Sequence, residues 1–337
     1  MKRKINVGLI GAGRFGKMYA EFISQRIPRA SLAAIADIVP ERARSCAEEL
    51  SVPRWYDNHH DLNYDTDIDA VVIAATTLNH KEIIVDAAGS RKPVFCEKPI
   101  TLSLEEAREA RDAVQKAGTF FQMGLHRRFD KGFAAAKQKI EGGVIGEPVV
   151  FRGSSRDPFI PSLDYLDPGK SGGQILDMAI HDIDIARWYM GDIETVYAVG
   201  CALAYPELKD IGDTDNAVMV LTFESGALGE IDISRNGVYG YDIRAEVLGT
   251  KGTLKAGYLR DTPLLVLTAE GVTHDAVPYF PERFADAYVA QLDNFVSNAA
   301  EGREPPITLE DGIKALQVAV AATRSQKSGT IMNTGDF

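Results

Sequence analysis

Three side chains suited to proton transfer, Lys98, Asp177 and His181, are the strongest candidates for chemistry in this sequence. Asp177 and His181 are four residues apart, so on a helix both side chains project from the same face. A histidine can accept the proton of an alcohol, and a neighbouring carboxylate can orient the ring or bind a further hydroxyl. The ammonium of Lys98 can stabilise negative charge on the reacting oxygen. Together these residues predict the oxidation of an alcohol.

A glycine-rich turn near the N-terminus, Gly11-Ala12-Gly13-Arg14-Phe15-Gly16, has the GxGxxG spacing of dinucleotide-binding proteins. It follows an apolar strand candidate and opens a helix candidate, which is the context that the motif requires. The first glycine permits a tight turn, the second lets a pyrophosphate approach the backbone, and the third allows close packing of helix on strand. We therefore expect Gly11, Gly13, Arg14, Phe15 and Gly16 to bind a dinucleotide.

Asp37 predicts which dinucleotide is used. It lies 24 residues after Gly13, at the end of the second strand candidate. There its carboxylate can accept hydrogen bonds from the adenosine ribose hydroxyls, and it would repel a 2′-phosphate. Ile38 follows, where enzymes that use NADP often have serine or arginine. The expected cofactor is therefore NAD(H).

Metal or disulfide chemistry is not expected. His59-His60 has no carboxylate or cysteine at ligand spacing, so a solvated loop is the preferred interpretation and no metal site is predicted. Cys46, Cys96 and Cys201 are few, odd in number and far apart, which favours unpaired thiols in a reducing cytoplasm.

Bulk composition excludes two classes of partner. The net charge is −11, from 37 basic and 48 acidic residues, which argues against a nucleic-acid partner. No run approaches the roughly 18 apolar residues of a membrane span. The basic start Met1-Lys2-Arg3-Lys4 precedes an apolar stretch broken by Gly11 and Gly13, which predicts a first strand rather than a signal peptide.

The elements that must position these residues change in character along the chain. Up to residue 124, short apolar runs alternate with amphipathic stretches, which is typical of a parallel sheet with crossover helices. The predicted strands are 5–10, 31–36, 70–75, 93–96 and 119–123. The predicted helices are 14–26, 40–50, a segment from about Asn79, and 103–116, where Ser103 and Glu106 form a capping box.

The remainder is expected to be rich in strands. A long helix is predicted at 172–190 and two late helices at 287–300 and 308–325. Strands 217–223 and 227–233 flank a hairpin signal, and residues 242–247 alternate between polar and apolar as a sheet with one wet face requires. The fold class is α/β: an N-terminal Rossmann domain, 1–124, and a C-terminal α+β domain, 125–337, with a large, mostly antiparallel open sheet. Its last helix is able to pack back toward the first domain.

Several motifs together resemble the Gfo/Idh/MocA oxidoreductases over essentially the whole chain. They are the glycine turn with Asp37, Cys96-Glu97-Lys98-Pro99, Thr76-Thr77-Leu78-Asn79-His80, the segment from Asp177 to Asp182, and Glu310-Asp311-Gly312. The resemblance implies that Thr76, Asn79, His80, Glu97 and Lys98 contact the cofactor. It also implies a cis peptide before Pro99. For Asn79 an equal alternative is a helix cap, formed with Glu82.

Three further segments narrow the resemblance to bacterial inositol 2-dehydrogenases. They are Arg127-Arg128-Phe129-Asp130, Ser155-Arg156-Asp157-Pro158 and Tyr239-Gly240-Tyr241-Asp242. This similarity implies oxidation of myo-inositol to 2-keto-myo-inositol, and a homotetramer formed through the second sheet. The substrate-binding residues it implies are Lys98, Arg127, Asp157, Asp177, His181 and Tyr241.

Two alternatives remain open at this point. Phe159-Ile160-Pro161 replaces a small, proline-rich stretch found in many such dehydrogenases, so scyllo-inositol, glucose or another pyranose is an alternative substrate. A regulator that senses a dinucleotide without catalysis is an alternative of another class. The joint presence of Lys98, Asp177 and His181 disfavours it, because a sensor needs none of them.

Overall fold

A computed structural model describes residues 4–337, so Met1 to Arg3 of the basic start lie outside the described residues. The strands are β1 (Ile5–Ile10), β2 (Ala30–Ala36), β3 (Arg54–Tyr56), β4 (Ala70–Ile73), β5 (Val94–Glu97), β6 (Phe121–Gly124), β7 (Pro148–Arg156), β8 (Ile193–Cys201), β9 (Asn216–Phe223), β10 (Leu228–Ser234), β11 (Asp242–Gly249), β12 (Thr253–Gly257), β13 (Val266–Thr268), β14 (Gly271–Thr273) and β15 (Met332–Asn333). The helices are α1 (Arg14–Arg26), α2 (Pro40–Glu49), α3 (His59–Tyr64), α4 (His80–Gly89), α5 (Leu104–Ala117), α6 (Lys131–Glu141), α7 (Leu163–Leu166), α8 (Pro168–Ser171), α9 (Ile180–Met190), α10 (Phe280–Glu301) and α11 (Leu309–Ser328).

By its internal contacts the chain forms two compact units. One contains the residues up to Leu125 together with Tyr288–Lys314, and the other contains His126–Ala287 and Ala315–Phe337. The division at residue 124 that the sequence predicts is contiguous, whereas the first unit also includes a later segment. Among residues 4–337, no helix combines the length and the apolar character needed to cross a membrane.

The first unit contains a six-stranded parallel sheet in the order β3-β2-β1-β4-β5-β6, which confirms the Rossmann fold. Its central strands are buried on both faces, as the unbroken apolar runs indicate. Pro40 opens α2 at a position where its missing N–H needs no partner. The side chain of Ser103 accepts a hydrogen bond from Glu106 N and begins α5.

The expectation of a loop at His59-His60 was wrong. These residues form the first turn of α3, because the Asn58 side chain accepts a hydrogen bond from Asp61 N and caps the helix. The fold also brings Asp86 to His60, whose Nδ1 lies 2.9 Å from Asp86 Oδ1. Within residues 4–337, no three histidine, cysteine, aspartate or glutamate side chains are arranged to hold a metal ion.

The second unit contains a seven-stranded sheet in the order β12-β11-β7-β10-β9-β8-β15. Its pairings are antiparallel except for β7 with β10, so the predicted mostly antiparallel sheet is confirmed. The hairpin predicted around residues 224–226 joins β9 to β10. In β11, Ile243, Ala245 and Val247 are buried while Arg244 is exposed, as the alternation indicates. Asp242, expected on the wet face, is instead buried, where it accepts hydrogen bonds from Tyr239 and Arg244.

The long helix predicted at 172–190 starts later than expected and is not uniform. Gly172 and Gly173 have φ values of +80° and +82°, a left-handed conformation that a right-handed helix excludes. Ile175–Ala179 then form a π-helical turn that continues directly into α9. Asp177 lies in this π turn, a feature that is frequent at functional sites.

Candidate active site

The glycine turn after β1 has the shape of a dinucleotide cradle. A Cβ atom on Gly11 would lie 2.6 Å from the Ala74 carbonyl oxygen, and one on Gly16 would lie 1.8 Å from the Gly11 carbonyl oxygen. Both glycines are therefore required by the protein itself. A Cβ atom on Gly13 would meet no protein atom within 4 Å. The space beside Gly13 is open, as it must be where a pyrophosphate approaches the backbone.

The start of α1 is suited to a phosphate. Gly13 is the N-cap residue, and no side chain caps this helix end. The first N–H groups of a helix lack partners inside the helix and carry partial positive charge, so they favour an anionic ligand. Arg14 beside them is exposed and Phe15 is half-buried. The open cradle and the uncapped helix end fit the pyrophosphate of NAD.

Asp37 lies at the end of β2 and holds the glycine turn. Its Oδ2 atom accepts a hydrogen bond from Ala12 N at 2.7 Å, and its Oδ1 atom accepts one from Val39 N at 2.8 Å. Each carboxylate oxygen has a further lone pair, so the side chain retains acceptor capacity for a ribose hydroxyl. The neighbouring Ile38 side chain is 71% exposed and offers no charge to a 2′-phosphate.

The segment after β4 contains the predicted Thr76, Asn79 and His80. The Asn79 side chain donates to Thr76 Oγ1 at 3.3 Å and does not cap α4, which rules out the helix-cap interpretation. The ring of His80 is buried, with Nδ1 2.9 Å from the Pro99 carbonyl oxygen and Nε2 3.1 Å from that of Ala75. Burial lowers the pKa of His80, so the neutral ring donates to one of these carbonyls. His80 thus joins the segments that follow β4 and β5.

Glu97 and Lys98 end β5, and the Lys98–Pro99 peptide is cis, as the resemblance implies. Tyr19 donates its hydroxyl hydrogen to Glu97 Oε1, and Gln291 Nε2 donates to the same oxygen at 3.2 Å. Lys98 N donates to Glu97 Oε2 at 3.1 Å. Glu97 is only 6% exposed and both its oxygens bind protein groups, so this arrangement favours a role in holding Lys98 over direct contact with the cofactor.

Glu97 makes the stability of the protein depend on pH. Burial raises the pKa of Glu97 from 4.5 to about 7, against the lowering effect of the Tyr19 hydroxyl. The folded protein therefore retains a proton that the unfolded chain releases near pH 4.5. The stability that this proton contributes is present at low pH and is lost as the pH rises through about 7.

We expect Glu97→Gln to remove this dependence while keeping an acceptor for Tyr19. The free energy of unfolding of the variant, relative to that of the native protein, should increase by about 3 kcal/mol between pH 4.5 and pH 8. Urea denaturation across this range measures the difference. Glu105→Gln, at an exposed position in α5, serves as the control and should follow the native protein. The expectation is wrong if the free energy of unfolding of Glu97→Gln differs from that of the native protein by the same amount at pH 4.5 and at pH 8.

In the second unit, Asp177 is held at both carboxylate oxygens. Tyr165 donates its hydroxyl to Asp177 Oδ1 at 3.2 Å, and Arg235 Nη2 donates to Asp177 Oδ2 at 3.1 Å. One helical turn further along, the ring of His181 contacts that of His126 edge to face, with ring centroids 4.7 Å apart. Asp177 and His181 are both partly exposed, so both can reach a ligand.

The parallel pairing of β7 with β10 explains how distant residues meet in this unit. Ser234 of β10 pairs with Arg156 of β7, so both strands end at the same edge of the sheet. Asp157 and Arg235 follow these strands directly. Asp242 begins the antiparallel β11 opposite Arg156, which brings the preceding Tyr241 to the same edge. The carboxyl ends of parallel strands therefore gather these polar side chains.

The structure gives the other predicted substrate residues different environments. The Arg127 guanidinium is buried and donates to Asp182 Oδ1 at 2.7 Å and to Ser155 Oγ at 3.0 Å, so its contact with a substrate stays a prediction. Tyr241 is also buried, with its ring against those of Tyr279 and Phe284, and burial raises its pKa. Asp157 is half-buried, and its backbone N donates to the Ser234 carbonyl at 2.8 Å.

The chain belongs to the Gfo/Idh/MocA oxidoreductases, a family of two-domain enzymes. Residues 5–125 match its domain described as "Oxidoreductase family, NAD-binding Rossmann fold", and residues 137–334 match its "C-terminal alpha/beta domain". The geometry of the glycine turn and Asp37 agrees with this family's use of a dinucleotide.

Individual relatives within the family are dehydrogenases of inositols. The chain is 42% identical to the myo-inositol 2-dehydrogenase of Thermotoga maritima, over 95% of this chain and 96% of that protein. It is 38% identical to the scyllo-inositol 2-dehydrogenase (NAD(+)) of Bacillus subtilis, over 98% and 96%. The crystal structure of scyllo-inositol dehydrogenase from Lactobacillus casei, with bound NAD(H) and scyllo-inositol, superposes with a TM-score of 0.94 at 32% identity and covers 99% of this chain and 100% of that one.

Proposed function

We propose that this protein oxidises a secondary ring hydroxyl of a cyclitol with NAD, converting myo-inositol to 2-keto-myo-inositol. The observation that carries the proposal is the similarity to dehydrogenases of two inositol isomers over nearly the entire length of the chain. The open cradle at Gly13 and the partly exposed Asp177 and His181 support it, because they supply a place for the cofactor and groups that can bind hydroxyls.

The chemistry assigned to each residue follows from its type and surroundings. Bound NAD accepts a hydride from the carbon that carries the reacting hydroxyl. His181 accepts the hydroxyl proton, and Asp177 orients the substrate through a neighbouring hydroxyl. Lys98 donates a hydrogen bond to the reacting oxygen and stabilises its negative charge as the proton leaves. The oxidation releases one proton, so turnover in this direction should favour alkaline pH.

scyllo-Inositol is a second candidate substrate, because two of the similar proteins act on or bind it. Oxidation of myo-inositol at the axial hydroxyl and oxidation of scyllo-inositol yield the same ketone. The product therefore does not distinguish the two substrates, whereas their relative values of kcat/KM do.

Absorbance at 340 nm tests this function directly. The purified protein is incubated with NAD or NADP and with myo-inositol, scyllo-inositol, glucose or the acyclic polyol sorbitol. We expect a cyclitol to reduce NAD rapidly and NADP only slowly. In Asp37→Ser the difference between the rates with NAD and NADP should be smaller. If only acyclic alcohols or aldehydes react, or if NADP serves equally well, the proposal is wrong. Absence of any turnover with intact NADH binding would favour a dinucleotide sensor.

We further propose that the protein is a cytoplasmic homotetramer that assembles through the second sheet. The outward face of β8 and β9 exposes four apolar side chains: Tyr197, Val199, Val218 and Val220 are 37%, 47%, 46% and 52% exposed. The register places Tyr197 opposite Val220 and Val199 opposite Val218, so they form one continuous patch. Such patches mark association surfaces. The three free thiols suit a reducing cytoplasm.

Val220→Glu should reduce the particle mass, because it puts a charge in the middle of this patch without disturbing the buried face of the sheet. Light scattering coupled to size-exclusion chromatography measures the mass, and circular dichroism checks the fold. Leu267→Glu is the matched control, since Leu267 is an exposed apolar strand residue of β13 outside the patch. A native monomer, or equal masses for Val220→Glu and the native protein, would disprove assembly through this face.

A further inference from the structure

Arg235 is the largest fully buried side chain among the described residues, at 1% exposure. It directly follows β10, and its backbone N donates to the Asp215 carbonyl oxygen at 2.8 Å. Removing a guanidinium from water costs several kcal/mol unless carboxylates compensate. The buried guanidinium must therefore be compensated by nearby anionic groups. The sequence motifs did not identify Arg235.

Carboxylates surround this cation. Arg235 Nη2 donates to Asp177 Oδ2 at 3.1 Å, and the negative charges of Asp157 and Asp213 also act on the guanidinium. Burial lowers the pKa of Arg235, but the three carboxylates outweigh it and the pKa is raised overall. Asp177 is thus hydrogen-bonded to a guanidinium on which two further carboxylates act, so removal of Arg235 would remove the cation that offsets the repulsion between Asp177 and Asp213.

The geometry around Asp177 differs from that of two other buried ion pairs of this unit, while in a third, Arg283 with Asp130, the carboxylate is 11% exposed and caps α6. Asp182 and Asp184, the partners of Arg127 and Arg128, have side chains only 3% and 1% exposed. The Asp177 side chain is 14% exposed and lies in the π turn that leads into the helix of His181. Arg235 thus anchors a carboxylate that can still be reached by a ligand.

We propose that Arg235 is a positioning residue that fixes the Asp177 carboxylate and keeps it ionised for substrate binding. This inference rests on the proposed function, because it assigns Arg235 a role in the same cyclitol oxidation. The titratable groups that the structure places near Asp177 include Arg235 after β10, Tyr165 in α7, Asp213 before β9 and His181 in the following turn, and Asp157 after β7 acts on Arg235. Among them Arg235 is the cation that stays charged at every relevant pH.

The test compares Arg235→Met and Arg235→Lys with Arg128→Met across pH 5 to 10. Arg128 is the matched control, since it is also buried and pairs with a buried carboxylate. The measurements are kcat and KM for myo-inositol, or for whichever cyclitol the native protein oxidises fastest, together with NADH binding by fluorescence.

We expect Arg235→Met to lower kcat/KM by about 10- to 100-fold at pH 7, mainly through KM, as the loss of a hydrogen bond to a charged group implies. The acidic limb of the profile, the pH range over which kcat/KM declines as the pH falls, should move up by about one pH unit or more. The loss of kcat/KM relative to the native protein should therefore be smaller at alkaline pH. In Arg235→Lys the acidic limb should lie close to its native pH. NADH binding should be unchanged. Arg128→Met should lose thermal stability and leave the limb in place.

If Arg235→Met does not fold, Tyr165→Phe provides a second test of the same carboxylate. Tyr165 is half-exposed, so its variant should fold, and loss of its hydrogen bond to Asp177 should move the acidic limb in the same direction. An unmoved limb in the variants that fold, or an equal loss of activity at every pH, would overturn the role of Arg235. If the native protein itself oxidises no cyclitol or sugar, the proposed function fails instead.

Discussion

Replacing His181 or Lys98 with alanine is expected to lower kcat for cyclitol oxidation by about 10²- to 10⁴-fold, the usual contribution of a general acid–base group. The proposed function assigns both side chains to the reacting oxygen, His181 as the acceptor of its proton and Lys98 as the group that stabilises the remaining negative charge. The dinucleotide phosphates are assigned to a different place, the turn from Gly11 to Gly16. NADH binding should therefore remain close to native in both variants, which fluorescence titration measures.

Two further variants separate chemistry from orientation. Asp177→Asn keeps the shape of the side chain and loses its charge, so we expect a smaller decrease in kcat together with weaker substrate binding. The double variant of Lys98 and His181 should lose less than the product of the single losses, because both groups act on one proton transfer. Near-native turnover in His181→Ala would show that another group accepts the proton.

Gly13→Val is expected to produce the opposite pattern and abolish NADH binding first. A Cβ atom at Gly13 meets no protein atom within 4 Å, so the substitution should leave the fold intact while it fills the space where the pyrophosphate would lie. Isothermal titration with NADH and the thermal unfolding midpoint are measured together. We expect binding to fall below detection and the midpoint to change by only a few degrees.

Gly16→Val provides the contrast for this prediction. A Cβ atom there would overlap the Gly11 carbonyl oxygen, so that variant should lose both stability and binding. The two glycines are three positions apart in the same motif, yet a Cβ atom would enter open space at Gly13 and overlap the backbone at Gly16. Tight NADH binding by a stable Gly13→Val protein would show that the pyrophosphate lies elsewhere.

The parts of the fold that local patterns specify could be predicted from the sequence. Strands β1 and β2 and helix α1 agree with prediction to within one residue, because uninterrupted apolar runs and a glycine turn mark their ends. The three-residue β3 escaped notice, since Arg54–Tyr56 contains no buried residue. The start of the helix near 172 was misplaced because helical spacing in the side chains does not reveal the left-handed backbone of Gly172 and Gly173.

The candidate site divides in the same way. Short local motifs predict three of its features: the glycine turn, Asp37 and the cis peptide before Pro99. Arg235 lies 58 residues along the chain from Asp177, to which it donates a hydrogen bond. Gln291 lies 194 residues from its own acceptor, Glu97. The packing of the π turn against β10 brings Arg235 to Asp177, and the continuation of α10 into the first unit brings Gln291 to Glu97. No periodicity in one sequence encodes such long-range contacts.

The discontinuity of the first unit has a consequence for how the protein is made. Gln291 donates a hydrogen bond to Glu97, and the ring of Phe295 packs against that of Phe95 with centroids 5.7 Å apart, yet both residues are synthesised more than 160 residues after β6. During synthesis, the first unit can complete its core only after residues 288–314 have been translated. The order of synthesis thus means that the intervening residues 126–287 are translated before the first unit has all of its chain.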